Sequence, residues 1–154
     1  MKKICFTGHR QITDFHATTR KLLELLEKLI NHGAVDFYAG GAVGFDTLCS
    51  LAVINLKHIH PQIRLNLVLP CSNAEQTENW NSQQKETFNR ILAAADSVEY
   101  ISDCYTNDCM KLRNARLVEL SDGCICYYKE LYKSGTGQTL RMAQKKGINI
   151  YNLV

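Results

Sequence analysis

Apolar residues along the chain alternate between two rhythms. Short β-prone runs are separated by longer stretches in which apolar side chains recur every third or fourth position. Lys3 to Thr7 is the first run, and Gly8-His9-Arg10 is its exit turn. From about Thr18 to His32, Leu22, Leu25, Leu26, Leu29 and Ile30 keep helical spacing, and Gly33 suits the stop. A second run, Val35 to Ala39, enters Gly40-Gly41-Ala42-Val43-Gly44. The helix after it carries Phe45, Leu48, Cys49, Ala52, Val53 and Leu56 on one face. Ile63 to Leu69 is a third strand, closed by Pro70-Cys71. The polar stretch Ser72 to Ser82 reads as loop and precedes a helix to about Ala95. Strand four is Ser97 to Ile101. A polar loop, Ser102 to Asn107, leads to a helix from Asp108 to about Leu120, then strand five, Gly123 to Tyr127. The loop Tyr128 to Ser134 opens a last helix through Gly135-Thr136-Gly137 to Lys146, and Ile148 to Leu153 is strand six.

Such alternation implies an α/β fold, a mostly parallel sheet covered by helices on both faces. In sheets of this kind ligands bind beyond the carboxyl ends of the strands, where the strand order reverses. Four segments rich in glycine or polar residues fall at those ends: Gly8 to Arg10, Gly40 to Asp46, Pro70 to Trp80, and Ser134 to Gly137. Glycines between strand and helix let a phosphate approach the positive helix end. The expected ligand is therefore a nucleotide or a nucleotide-like phosphate.

The 154 residues fit one domain, 1–154, with a substantial core. A net charge of +3, with Lys and Arg scattered, provides no basic stripe, so a nucleic-acid partner is not expected. No apolar run approaches a membrane span, and Gly8-His9-Arg10 interrupts the start too early for a signal peptide. Seven cysteines, an odd number partly in core-like segments, suit reduced thiols in a cytoplasm. Cys104 and Cys109 lack zinc-knuckle spacing, and Cys124 and Cys126 share one strand face, so small buried hydrophobes are expected and no metal.

Each constellation has a plainer alternative. The first glycine loop is a near miss to G-x-G-x-x-G, with Ala39 in the first position. No acid ends strand three to hold a ribose, so an ordinary NAD site is not expected. Gly40, Gly41 and Gly44 are candidates to admit a phosphate, or else serve close packing of helix on sheet. Asp46 either complements its helix N-terminus or accepts from a ligand hydroxyl or base. Ser134, Gly135, Thr136 and Gly137 form a second candidate anion cradle, with capping as the alternative. Arg10, Arg113 and Asn114 are candidate charge and polar partners; on a helix packed against a sheet, Arg113 and Arg116 cannot both be assumed to be solvated. His9 has the chemistry of an acid or base, but no nucleophile–His–carboxylate pattern accompanies it. His58 and His60, at a helix end, are expected to be exposed.

Together these residues resemble the SLOG superfamily, the Rossmann-like group that includes Lonely Guy enzymes and DprA, and most nearly its YpsA-like branch. The resemblance rests on Phe6-Thr7-Gly8-His9-Arg10, Gly40-Gly41-Ala42-Val43-Gly44-Phe45-Asp46, Trp80 after Pro70, Arg113-Asn114, Ser121-Asp122 and Ser134-Gly135-Thr136. It implies a Rossmann-like three-layer αβα sandwich with two glycine loops around a nucleotide-derived ligand. The Lonely Guy enzymes place a threonine and paired glutamates after the second loop. Here Gly137-Gln138-Thr139-Leu140-Arg141-Met142 contains no carboxylate, and Glu130 lies before the loop. The expected function is therefore binding or sensing of a nucleotide-derived small molecule, with no cofactor beyond that ligand. A nucleotide hydrolase in the same pocket, with Asp46 as its acid, and a protein-binding scaffold with a vestigial pocket are the alternatives. A homo-oligomer is left open.

Overall fold

The computed structural model describes residues 2–130 and 134–154; Met1 and the middle of the loop expected from Tyr128 to Ser134 lie outside the described residues. Six parallel strands are β1 (Lys3–Gly8), β2 (Asp36–Ala39), β3 (Arg64–Leu69), β4 (Ser97–Tyr100), β5 (Gly123–Tyr127) and β6 (Asn149–Asn152). They alternate with α1 (Phe15–Asn31), α2 (Phe45–Lys57), α3 (Asn73–Gln76), α4 (Ser82–Ala94), α5 (Cys109–Leu120) and α6 (Gly135–Lys146). The spatial order is β4-β3-β2-β1-β5-β6. Successive strands step outward from β1 as far as β4; the chain then crosses back to lay β5 on the other side of β1. The order thus reverses between β1 and β5, and their carboxyl ends open a crevice there.

Side-chain alternation divides the core between two faces of the sheet. Ile4 and Phe6 of β1 pack with Phe37, Leu65, Leu67 and Ile125 beneath α1, α2 and α4. Cys5, Cys124 and Cys126 point the other way, toward Leu117 of α5 and Leu140 of α6. The fold is the expected Rossmann-like αβα sandwich.

Two details depart from the sequence reading. Helix α1 begins at Phe15, ahead of the expected Thr18, because its first turn is solvated and shows no apolar periodicity: Phe15 is 53% exposed. The stretch after β3 is not all loop, since Ser72 caps the single turn α3 by accepting from Glu75 N–H. That turn has no buried residue, so hydropathy could not reveal it.

Candidate functional site

The crevice at the switch point has a volume of about 470 Å³. One wall is the end of β1 and its exit turn, Thr7 to Gln11. The opposite wall is α5, through Met110, Arg113 and Asn114. The start of α6, Ser134 to Thr136, closes one end, and Ala42 and Asp46 lie on the floor.

Arg113 is the organising side chain. It is only 4% exposed, because α5 packs on the sheet along the face that carries it. Its Nη1 donates to Gly40 O, and its Nε donates to Asn114 Oδ1 at 2.8 Å. A Cβ at Gly40 would stand 2.5 Å from Nη1, so glycine is needed there to let the guanidinium reach the end of β2. Asn114 Nδ2 lies beside Gly135, 3.7 Å from where a Cβ would be, which ties α5 to the start of α6. Arg116, three residues on, points to the far edge and pairs with Glu99 at 2.8 Å. The two arginines therefore divide, one buried at the crevice and one half-buried in an ion pair at the sheet edge.

Asp46 sits in the first turn of α2, 6% exposed. Its Oδ2 accepts from Ala42 N–H at 3.3 Å, while Oδ1 is buried with no hydrogen-bond partner of ordinary geometry among the described residues. Burial pushes its carboxyl up to about 6, opposed by the Arg113 charge, the Ala42 and Gly40 N–H groups and Arg10. No ion pair joins Arg113 to Asp46. Burial also lowers the Arg113 pKa, against the Asp46 charge that raises it. Replacing Arg113 with Met should move the Asp46 titration further upward, as followed by the carboxyl carbon in NMR; an unmoved titration would show that the two charges do not communicate.

The first glycine loop differs in detail from a phosphate cradle. Phe45 N–H donates to His9 O at 3.2 Å, and Ala42 N–H is taken by Asp46. Gly41 (φ 74°) faces Leu69, where a Cβ would stand 2.5 Å from a methyl. Gly44 (φ 84°) lies against the Arg10 backbone. These glycines lie outside the crevice lining, each with a close neighbour where a Cβ would stand. At Gly8 a Cβ would meet the Phe45 ring at 2.5 Å, so that glycine brings α2 onto the end of β1 while itself lining the crevice.

The second loop is different. Ser134 caps α6, its Oγ accepting from Gly137 N–H at 3.2 Å. The N–H groups of Gly135 and Thr136 have no protein acceptor among the described residues, and both residues line the crevice. This positive helix end faces the cavity. Gly137 lies behind it, beside the Tyr128 hydroxyl.

His9 is 8% exposed, and its Nε2 accepts from Lys129 N–H at 2.9 Å. The same nitrogen stands 3.3 Å from Lys129 O. The imidazole also lies against Tyr128, centroids 5.5 Å apart. It clasps the exits of β1 and β5 together across the switch point. Glu130 is exposed and lies outside the crevice lining.

The polar residues that the sequence singled out at three separate strand ends thus meet in one cavity. Sequence reading did not mark Met110, Leu117 or Gln11, which carry no motif, nor Gln76, which lies in a featureless polar stretch. His60 is a correction: it is half-buried, its Nε2 2.9 Å from Glu27 Oε2, because the chain after α2 turns back under α1. All seven cysteines are free, and six are buried; Cys104 alone is exposed, on the loop before α5. Among the described residues no group of three His, Cys, Asp or Glu side chains converges to hold a metal. No described helix is long and apolar enough to cross a membrane.

The all-parallel sheet and the crevice at its reversal define a Rossmann-like α/β protein of the SLOG type. The chain belongs to the YspA SLOG family, whose model (YpsA) matches residues 5–153. It is similar to a UPF0398 protein of Halalkalibacterium halodurans, 31% identical over 142 residues covering 90% of this chain and 72% of that one. It is also similar to the SPbeta prophage-derived protein YoqJ of Bacillus subtilis, 29% identical over 138 residues, 81% of this chain and 79% of that one. Among solved structures, DNA processing protein A of Helicobacter pylori superposes with a TM-score of 0.66 at 25% identity; the work on it concerns single-stranded DNA binding. DprA of Streptococcus pneumoniae superposes with a TM-score of 0.68 at 16% identity, a likeness of fold. Both matches cover 97% of this chain but only 63% and 49%, respectively, of those longer proteins.

Proposed function

We propose that the crevice binds a nucleotide or nucleotide-derived small molecule, and that the chain is a binding or sensing domain. The observation that carries this is Oδ1 of Asp46, a buried acceptor with no hydrogen-bond partner of ordinary geometry among the described residues, on the floor of a cavity whose end is a positive helix terminus. A buried acceptor without a donor costs about 1–3 kcal/mol, which a ligand hydroxyl or amine would relieve. The Gly135 and Thr136 N–H groups and the exposed Arg10 would take an anion at the other side. A sugar hydroxyl and a phosphate on one molecule match that pair. Six buried free thiols suit a reducing cytoplasm as the setting.

Hydrolysis is the second reading, because a carboxyl near 6 suits acid–base work at neutral pH. Among the described residues Asp46 is, however, the only carboxylate lining the crevice, where the hydrolytic relatives use a pair of glutamates. Single-stranded DNA, the subject of the Helicobacter pylori work, shares the phosphate and the bases, but its sugars have no free hydroxyl within the strand to donate to Asp46. Among the described residues Arg10 and Arg113 are the only cations lining this crevice, and Arg113 is buried, so these residues provide little of a track for a polyanion.

The test is a panel of nucleoside mono-, di- and triphosphates, read by thermal unfolding, with mass spectrometry of small molecules released from the purified protein. A true ligand at about a hundred times its Kd should stabilise the native state by roughly 2.7 kcal/mol. Release of free base or phosphate at about one per second or faster would replace the binding reading with the enzymatic one. No stabilisation by any nucleotide, with nothing released from the protein, would end both.

A further inference from the structure

A second cavity, of about 640 Å³, adjoins the first and shares Arg10, Ala42 and Met110 with it. Its character is different. Trp80 and Tyr105 line it, and Glu75 and Glu78 are its carboxylates; the shared Arg10 is its only cation among the described residues. An anion is disfavoured beside two carboxylates, so phosphate belongs in the first cavity and an uncharged group in the second. The Trp80 indole is held by an edge contact with Phe88, centroids 5.4 Å apart, and Tyr105 is 58% exposed.

Gln76, in the same wall, supplies the polar contact. Its Nε2 donates to Gly41 O at 3.1 Å, and this fixes the amide's orientation. Oε1 is thereby turned away from that carbonyl, and it is buried with no partner among the described residues. The second cavity thus offers an aromatic ring and a fixed, unused acceptor, while the first offers an anion site and the unused Asp46 Oδ1.

Resting on the nucleotide reading above, we propose that the second cavity is the base subsite. The ligand lies with its phosphate at the start of α6, its sugar over Asp46, and its base beside Trp80. An amine on the base donates to Gln76 Oε1. Every base has a face to stack, but where the 6-amino group of adenine donates to Gln76 Oε1, hypoxanthine presents a 6-oxo acceptor, so adenine should be preferred to hypoxanthine.

Isothermal titration of the intact protein with adenosine monophosphate, inosine monophosphate and ribose 5-phosphate tests this. Adenosine monophosphate should bind about tenfold or more tightly than ribose 5-phosphate, the value of a stacked base. Inosine monophosphate should fall between them. In Trp80→Ala that advantage should shrink to within about twofold while ribose 5-phosphate affinity is unchanged. Equal affinities for the three probes, or a Trp80→Ala loss shared equally by ribose 5-phosphate, would overturn the base subsite and leave the phosphate site standing. Binding of none of the three would overturn both. The three-ligand comparison on the parent protein decides the matter even where Trp80→Ala, which also removes the Phe88 contact, fails to fold.

Discussion

Asp46→Asn is expected to make the ligand-free protein more stable at pH 8 while weakening its ligand. The buried carboxyl is raised from an ordinary 3.8 to about 6, first because burial penalises its charge. Between those two values the native state holds more protons than the unfolded chain. Stability therefore falls as pH rises from about 4 to about 6, by at most roughly 3 kcal/mol for such a shift, and the loss persists above 6. Asparagine carries no charge and keeps an oxygen for Ala42 N–H, but its amide N–H groups have no acceptor in place. The net gain at pH 8 should be about 1–2 kcal/mol by urea unfolding, fading to nothing near pH 4. Nucleotide affinity should drop by about tenfold or more, since the amide cannot accept in the same way as Oδ1. A variant less stable than the parent at pH 8 would show that the Asp46–Arg113 attraction outweighs burial. A variant with unchanged affinity would remove Asp46 from the binding site.

Gly44→Ala is expected to cost about 3 kcal/mol or more, with or without ligand. Two terms add: a side chain in the left-handed region costs about 1–2 kcal/mol, and overpacking costs about 1–3. Gly44 has φ 84°, and its Cβ would fall inside the contact distance of the Arg10 carbonyl, which is backbone and cannot swing aside. Gly33→Ala is the control. Its φ of 102° carries similar strain, but nothing lies within 4 Å of where its Cβ would be. Urea unfolding of both variants separates the terms. If Gly44→Ala loses no more than Gly33→Ala, the close approach of α2 to the exit of β1 is not rigid.

That glycine illustrates the limit of reading a motif. From sequence, three glycines between a strand and a helix suggest a phosphate cradle, with a packing device as the alternative. The structure turns Gly40 to Arg113, Gly41 to Leu69 and Gly44 to Arg10, all of them packing contacts. The helix start that faces the cavity with unused N–H groups is the second one, at Gly135 and Thr136. The partner of Gly40 is 73 residues away in the chain, on α5, and no local pattern could have named it.

By itself the sequence determined the six strands, their alternation with helices and the family, because hydropathy periodicity and glycine punctuation are local properties that each segment carries alone. It also marked Arg10, Asp46, Arg113, Asn114 and Ser134 to Thr136, whose residue types are costly or unusual at such positions. Tertiary structure alone decided that these residues share one cavity, because the reversal of strand order between β1 and β5 brings segments far apart in the chain to one edge. It alone left Asp46 Oδ1 and Gln76 Oε1 without a hydrogen-bond partner of ordinary geometry among the described residues, since whether a buried oxygen is satisfied depends on every element packed around it.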